Sequence, residues 1–177
     1  MSDLYQQIMN QRGSFEQLLE RIPGFRGYLD KAHRRTADRM LRDHIASLIA
    51  ARIGRLVQIE KRLLDNGGLG YMSKTASIKT KLQTYHDRVK AAAPGYSGFM
   101  EAIKVGEHEL DQLYSFDEAQ VRYTDRLDEA LSALENATTK EAIDGALIEL
   151  DNLTVEANQA FDLRDDVLTN LSKDLSA

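Results

Sequence analysis

The chain reads as all-α. Three observations point there. Apolar residues recur every three or four positions over long stretches, only two prolines interrupt 177 residues, and strict apolar–polar alternation is absent. The architecture this predicts is an antiparallel four-helix bundle of two long, pseudo-repeated helical hairpins plus an N-terminal helix. At this length a single domain can bury a substantial core.

The two prolines head the same short sequence, 71 residues apart. One copy is Pro23-Gly24-Phe25-Arg26-Gly27-Tyr28-Leu29-Asp30, the other Pro94-Gly95-Tyr96-Ser97-Gly98-Phe99-Met100-Glu101. The shared pattern is Pro-Gly-aromatic-x-Gly-aromatic-apolar-acid. It divides the chain into a leading helix (1–22), a basic hairpin (23–93) and an acidic hairpin (94–177). Charge divides at the same place. The net −5 hides 17 basic and 9 acidic residues in 1–93, against 6 and 19 in 94–177. Opposite halves of one domain can neutralise each other by packing; the alternative is a basic half turned toward an anionic partner.

The first predicted helix covers about 2–21, with Leu4, Ile8, Phe15, Leu18, Leu19 and Ile22 on one side. Pro23 ends it, because proline disfavours helix in the residue before it. The second runs from about 29 to 65 on Leu41, Ile45, Ile49, Ile53, Leu56, Ile59 and Leu63. Asn66-Gly67-Gly68 stops it, since Asn and Gly accept the left-handed conformation of a helix C-terminus. The third covers 72–92 on Ile78, Leu82, Tyr85 and Val89. The fourth covers 107–136 on Leu110, Leu113, Val121, Thr124, Leu127, Leu131 and Leu134. Thr138 and Glu141 form a candidate capping box for the fifth, 139–171. Gly54 and Gly145 sit mid-helix at roughly 1 kcal/mol each, which hints at close helix contact or a bend.

Several chemistries are argued against. There is no Cys, so no disulfide, thiolate metal site or Cys nucleophile. A di-iron bundle needs paired Glu-x-x-His motifs; here His33, His44, His86 and His108 are scattered, and Glu107-His108-Glu109 points to different helix faces. No Gly-x-Ser-x-Gly elbow or phosphate loop occurs. No cofactor and no metal are expected. No apolar run is long enough to span a bilayer, and the N-terminus does not read as a secretion signal, so cytoplasm is the expected compartment.

Two binding candidates remain. Lys31, Arg35, Arg39 and Arg42 share a helix face at i, i+4, i+8 and i+11, with Arg34 beside them. They suit anionic lipid headgroups or phosphates. Asp30, Asp38 and Asp43 interrupt the run, and a pI near 5.4 argues against general nucleic-acid binding. The acids Asp162, Asp165 and Asp166 should stand at the same end of the bundle and can neutralise the stripe. The second candidate is the aromatic set Phe25, Tyr28, Tyr96 and Phe99, either plugging the bundle ends or meeting a partner. A rival reading is an enzyme or small-ligand binder with a polar pocket lined by Asp117, Thr124 and Arg164, which fall near core-facing positions.

The stretch Gly95-Tyr96-Ser97-Gly98-Phe99-Met100-Glu101-Ala102-Ile103-Lys104-Val105, continuing through Glu109 to Tyr114, resembles a family of bacterial helical proteins that brings no activity with it. The organisation is similar to that of phage-shock protein A and its membrane-remodelling relatives: short leading helix, long basic hairpin, acidic C-terminal part. No motif is shared with these, the leading helix here is not basic, and the hairpin is shorter. The likeness is one of architecture only. The function expected is a non-enzymatic interaction protein with a protein partner or a second copy of itself, an anionic membrane surface being the alternative.

Overall fold

The computed structural model describes residues 3–11, 15–91 and 106–174. The second proline motif, with Tyr96 and Phe99, lies outside them. The described residues hold six helices and no strand. They are α1 (Asp3–Asn10), α2 (Phe15–Arg21), α3 (Arg34–Asp65), α4 (Met72–Lys90), α5 (Glu107–Asn136) and α6 (Lys140–Asp174). Single 3-10 turns, Lys31–His33 and Leu69–Tyr71, lead into α3 and α4.

Two helices, α1 and α2, stand where one was predicted over 2–21. Residues 12–14, between the two, lie outside the described residues. The start of α3 is also later than predicted. Asp30 caps the 3-10 turn by accepting from the Ala32 amide at 3.0 Å, and α3 proper begins only at Arg34. The α3–α4 turn closes as its sequence demands. Gly67 takes φ +82°, and Gly68 N–H reaches back to the Leu63 carbonyl at 2.7 Å. The α6 cap is displaced by one residue from the predicted box: Thr139, not Thr138, accepts the Ala142 amide at 3.2 Å.

The long helices pack α3 on α4, α5 on α6, α3 on α5 and α4 on α6; α1 and α2 lie on α5. Polar contacts fix the directions. Within each hairpin the helices oppose: Thr75 and Lys79 reach back to Glu60, and Arg126 to Glu156. Between hairpins they run alike. Arg52 meets the Thr124 carbonyl and Arg55 meets Asp128, 72 and 73 residues on. Lys74 meets Asp144 and Lys81 meets Asp151, each 70 residues on. These offsets straddle the 71-residue spacing of the proline motifs. The hairpins therefore lie side by side in one orientation. The antiparallel arrangement expected from the sequence holds within each hairpin but not between them, where α3 packs on α5 and α4 on α6 in the same direction.

The ion pairs along these seams take cations from the first half and acids from the second: Arg21–Asp125, Arg55–Glu135, Arg62–Glu135, Lys74–Asp144 and Arg88–Asp162. The charge split is thus substantially answered within the chain. No helix among the described residues is long and apolar enough to cross a membrane.

The core has two parts. One, far from the chain's N-terminus, is aliphatic: Leu56, Ile59, Ile78, Leu82, Leu127, Leu131, Leu134, Leu147, Leu150 and Leu153. The other holds α1, α2, the 22–28 segment and the facing ends of the long helices, and includes Phe25, Tyr28, Tyr85, Phe116 and Phe161. Buried Thr124 and Thr154 return their hydroxyls to the Val121 and Leu150 carbonyls. Satisfied this way, they add no unpaired group to the interior.

Candidate functional site

The most deeply buried charged groups among the described residues meet at the aromatic end of the core. Arg164 on α6 is 1% exposed, Asp117 on α5 is 0% and Asp38 on α3 is 2%. Charges at such depth are tolerated only when paired and hydrogen-bonded. Here they are paired with one another. Arg164 Nε donates to Asp117 Oδ1 at 2.6 Å, and Arg164 Nη2 to Asp38 Oδ1 at 3.0 Å. The Tyr28 hydroxyl donates to Asp117 Oδ2 at 2.7 Å. Arg42 Nε donates to Asp38 Oδ2 at 2.7 Å, and its Nη1 to the Lys90 carbonyl at 2.8 Å. Two arginines and two aspartates form a formally neutral set joining α3, the end of α4, α5, α6 and the loop before α3.

Backbone geometry in that loop delivers Tyr28. Gly24 and Gly27 have φ of +79° and +72°, a region L side chains rarely adopt. A Cβ on Gly27 would collide with the Tyr114 hydroxyl and the Phe15 ring. Against that bare backbone the Tyr114 hydroxyl accepts the Tyr28 amide at 2.9 Å, and the two rings stack at 5.5 Å. Phe25 meets Tyr28 edge-on at 5.8 Å. Arg34 Nε donates to the Tyr28 carbonyl at 2.7 Å. The loop is thus held at both its amide and its carbonyl.

The predicted site residues separate accordingly. Phe25 and Tyr28 are buried and serve the interior. Arg34 and Arg42 also turn inward, to the Tyr28 carbonyl and to Asp38. Arg35 and Arg39 are exposed, and Lys31 opens the 3-10 turn. Asp162 pairs with Arg88 rather than with the start of α3. Asp117 and Arg164 meet, as the pocket reading required, but Thr124 bonds its own helix. Sequence reasoning missed Asp38, treating it as a dilution of the basic run. Its signal was present: Arg34, Asp38, Leu41, Ile45 and Ile49 share one core-facing register.

Electrostatics follow from burial. Loss of water pushes the Asp117 carboxyl above its usual range, while Arg164 and Tyr28 pull the other way. Asp165, next to Arg164 on the chain, is raised for the same reason, with Arg164 and Arg88 opposing; its Oδ1 makes no hydrogen bond within the described residues. Tyr85, donating to Gln120 Oε1 at 2.6 Å, has its hydroxyl pushed far up by burial. A carboxylate with both oxygens taken by fixed donors, and a guanidinium shared between two carboxylates, are poor proton carriers. Among the described residues no three His, Asp or Glu side chains converge as metal ligands.

No family model, no curated protein and no solved structure matches this chain.

Proposed function

We propose that the protein is a non-enzymatic helical-bundle interaction or scaffold protein. Its four long helices read as a four-helix bundle of two hairpins laid side by side, steadied at one end by α1 and α2. One observation carries the reading: Asp117, Arg164 and Asp38 are one another's partners. An acid–base or anion-binding site needs a donor or carboxylate with a bond left for a ligand. Here the Asp117 carboxylate is closed by Arg164 and Tyr28. The network then acts as a buried clamp that fixes how four helices and a loop meet. A rigid frame of this kind suits a protein whose output is a surface.

The expected partner is another protein chain, with an anionic membrane as the alternative. Of the basic stripe, Arg34 and Arg42 bond inward to the Tyr28 carbonyl and to Asp38, while Arg35 and Arg39 are the exposed members whose placement is described. Two cations would add only about 2 kcal/mol of attraction to an anionic surface. Cytoplasm, at or away from the inner membrane face, is the corresponding location.

The test is a thermal-shift panel of nucleotides, sugar phosphates, dicarboxylates and acyl thioesters at millimolar concentration. No rise in melting temperature is expected. A ligand present at 100 times its Kd would add about 2.7 kcal/mol and be plainly visible. A reproducible rise that vanishes in Arg164→Met would show a small-molecule site and overturn the scaffold reading.

A further inference from the structure

The seam between α4 and α6 carries a small-residue stripe beside exposed apolar side chains. On α4, Ser73, Ser77, Thr80 and Thr84 follow i, i+4, i+7 and i+11, so they share one exposed stripe. On α6, Ile148 is 58% and Val155 38% exposed, seven residues apart, with exposed Asn152 between them. A groove of about 350 Å³ opens between the helices, floored by Ile78 and Leu147 and edged by Ser77, Ile148 and Asn152.

Charge is closed off here. The flanking Lys74, Asp144, Lys81 and Asp151 are tied to each other at 2.6 and 2.5 Å. In a chain with 29% charged residues, a stripe along two helices with no unpaired charge among these residues presents a neutral, partly apolar surface. Gly145 lies at the same end of α6, with nothing within 4 Å of where its Cβ would stand. No packing contact among the described residues accounts for this glycine.

Register says what covers the face. The seam is parallel with a constant offset of 70, so Ile148 stands level with Ile78, beside Ser77, and Val155 level with Tyr85, beside Thr84. Large residues on α6 therefore sit at the heights of small ones on α4. A two-fold axis parallel to the helices would set α6 of one chain on α4 of another without changing those heights. The footprint is adequate. The 19 residues of α4 span roughly 28 Å, and two helices are about 20 Å wide, so roughly 560 Å² per chain, or about 1,100 Å² in total, would be covered. A biological interface of good complementarity clears about 1,000 Å², and the standard stable ones start at about 1,200 Å².

We propose that the α4–α6 face is the interface of a parallel homodimer, in which Ile148 and Val155 of each chain seat against Ser77 and Thr84 of the other. This rests on the interaction-protein reading and names its partner as a second copy of the chain.

Light scattering after gel filtration tests it. Wild type at tens of micromolar should give twice the 20.0 kDa chain mass, and Ile148→Lys should give the single-chain mass with unchanged helical circular dichroism. The absence of cysteine allows a second measurement. Ser77→Cys and Ile148→Cys chains, refolded together and oxidised, should form a disulfide-linked dimer, and neither should do so alone. A monomeric wild type overturns the dimer and leaves the scaffold reading to the ligand panel. A dimer that survives Ile148→Lys, or crosslinks through Ser77→Cys alone, overturns this face or its register.

Discussion

The two parts of the core are built by different means. The aliphatic part is a repeat of Leu and Ile at helical spacing, sealed outside by ion pairs such as Lys81–Asp151. The aromatic part holds a formally neutral set of four charged side chains, three of them buried, and a loop running on two left-handed glycines. The first tolerates any sequence with the right pattern and volume. The second works only with particular residues in place, because each buried charge relies on its partner. Specificity of assembly is concentrated at one end, while the other supplies periodic burial.

The largest effect expected from this contrast is at Arg164. Arg164→Met leaves Asp117 and Asp38 buried without their shared cation and should cost about 3–5 kcal/mol of unfolding free energy. Chemical denaturation checks it; a loss near 1 kcal/mol would mean the network is dispensable.

Glycine to alanine compares the two ends directly. Gly27→Ala meets both the left-handed backbone and the packed Phe15 ring, so a loss of about 2–5 kcal/mol is expected. Gly67→Ala, at φ +82° in open space, should cost roughly 1–2 kcal/mol. Thermal melts of the pair decide it, and equal losses would remove the distinction between a packed loop and a simple turn.

At the aliphatic end, Lys81→Ala removes a half-exposed pair and should cost about 0–1 kcal/mol. Raising salt should diminish even that, since exposed pairs are screened. A large, salt-insensitive loss would show that this seam, too, depends on specific charge.

Acid should act on the two ends with opposite sign. Glu60 is held below its usual range by hydrogen bonds from Lys79 and Thr75. Its stabilisation is present above 4.5, the ordinary value, and fades as pH falls through its lower folded value. Asp117 is raised by burial, so its contribution is full below 3.8 and fades as pH rises through its higher folded value. In urea titrations between roughly pH 3 and 7, wild type should gain on Asp117→Asn toward acid, and its advantage over Glu60→Gln should shrink. The same trend for both would contradict the assignment.

The ends differed in legibility too. Periodicity fixed the boundaries of α4, α5 and α6 to within three residues, and Asn66-Gly67-Gly68 named its own turn. A helix and its stop are local events, written in a few neighbouring residues. The neighbour order of the helices was not legible. The same apolar stripes serve an opposed ring and a side-by-side pair of hairpins, and only contacts such as Arg55–Asp128 distinguish them. The clamp was half legible. Asp117 falls in the 3–4 register of Leu113, Gln120 and Thr124, and Arg164 in that of Ala157, Ala160 and Phe161. Charged residues on a core stripe announce a buried charge but not its partner. For Tyr28 the sequence offered plug or patch without deciding its partners, because its place depends on Tyr114 and Asp117, 86 and 89 residues away.

A double-mutant cycle on Arg164 and Asp117 probes the clamp most directly. Unfolding free energies of wild type, Arg164→Met, Asp117→Leu and the double variant give the coupling between the two side chains. If each exists to satisfy the other, the double variant loses less than the two single variants added together, with a coupling of about 1–3 kcal/mol. Additive losses would mean that Arg164 and Asp117 answer to something other than each other, and the closed-clamp reading would fall.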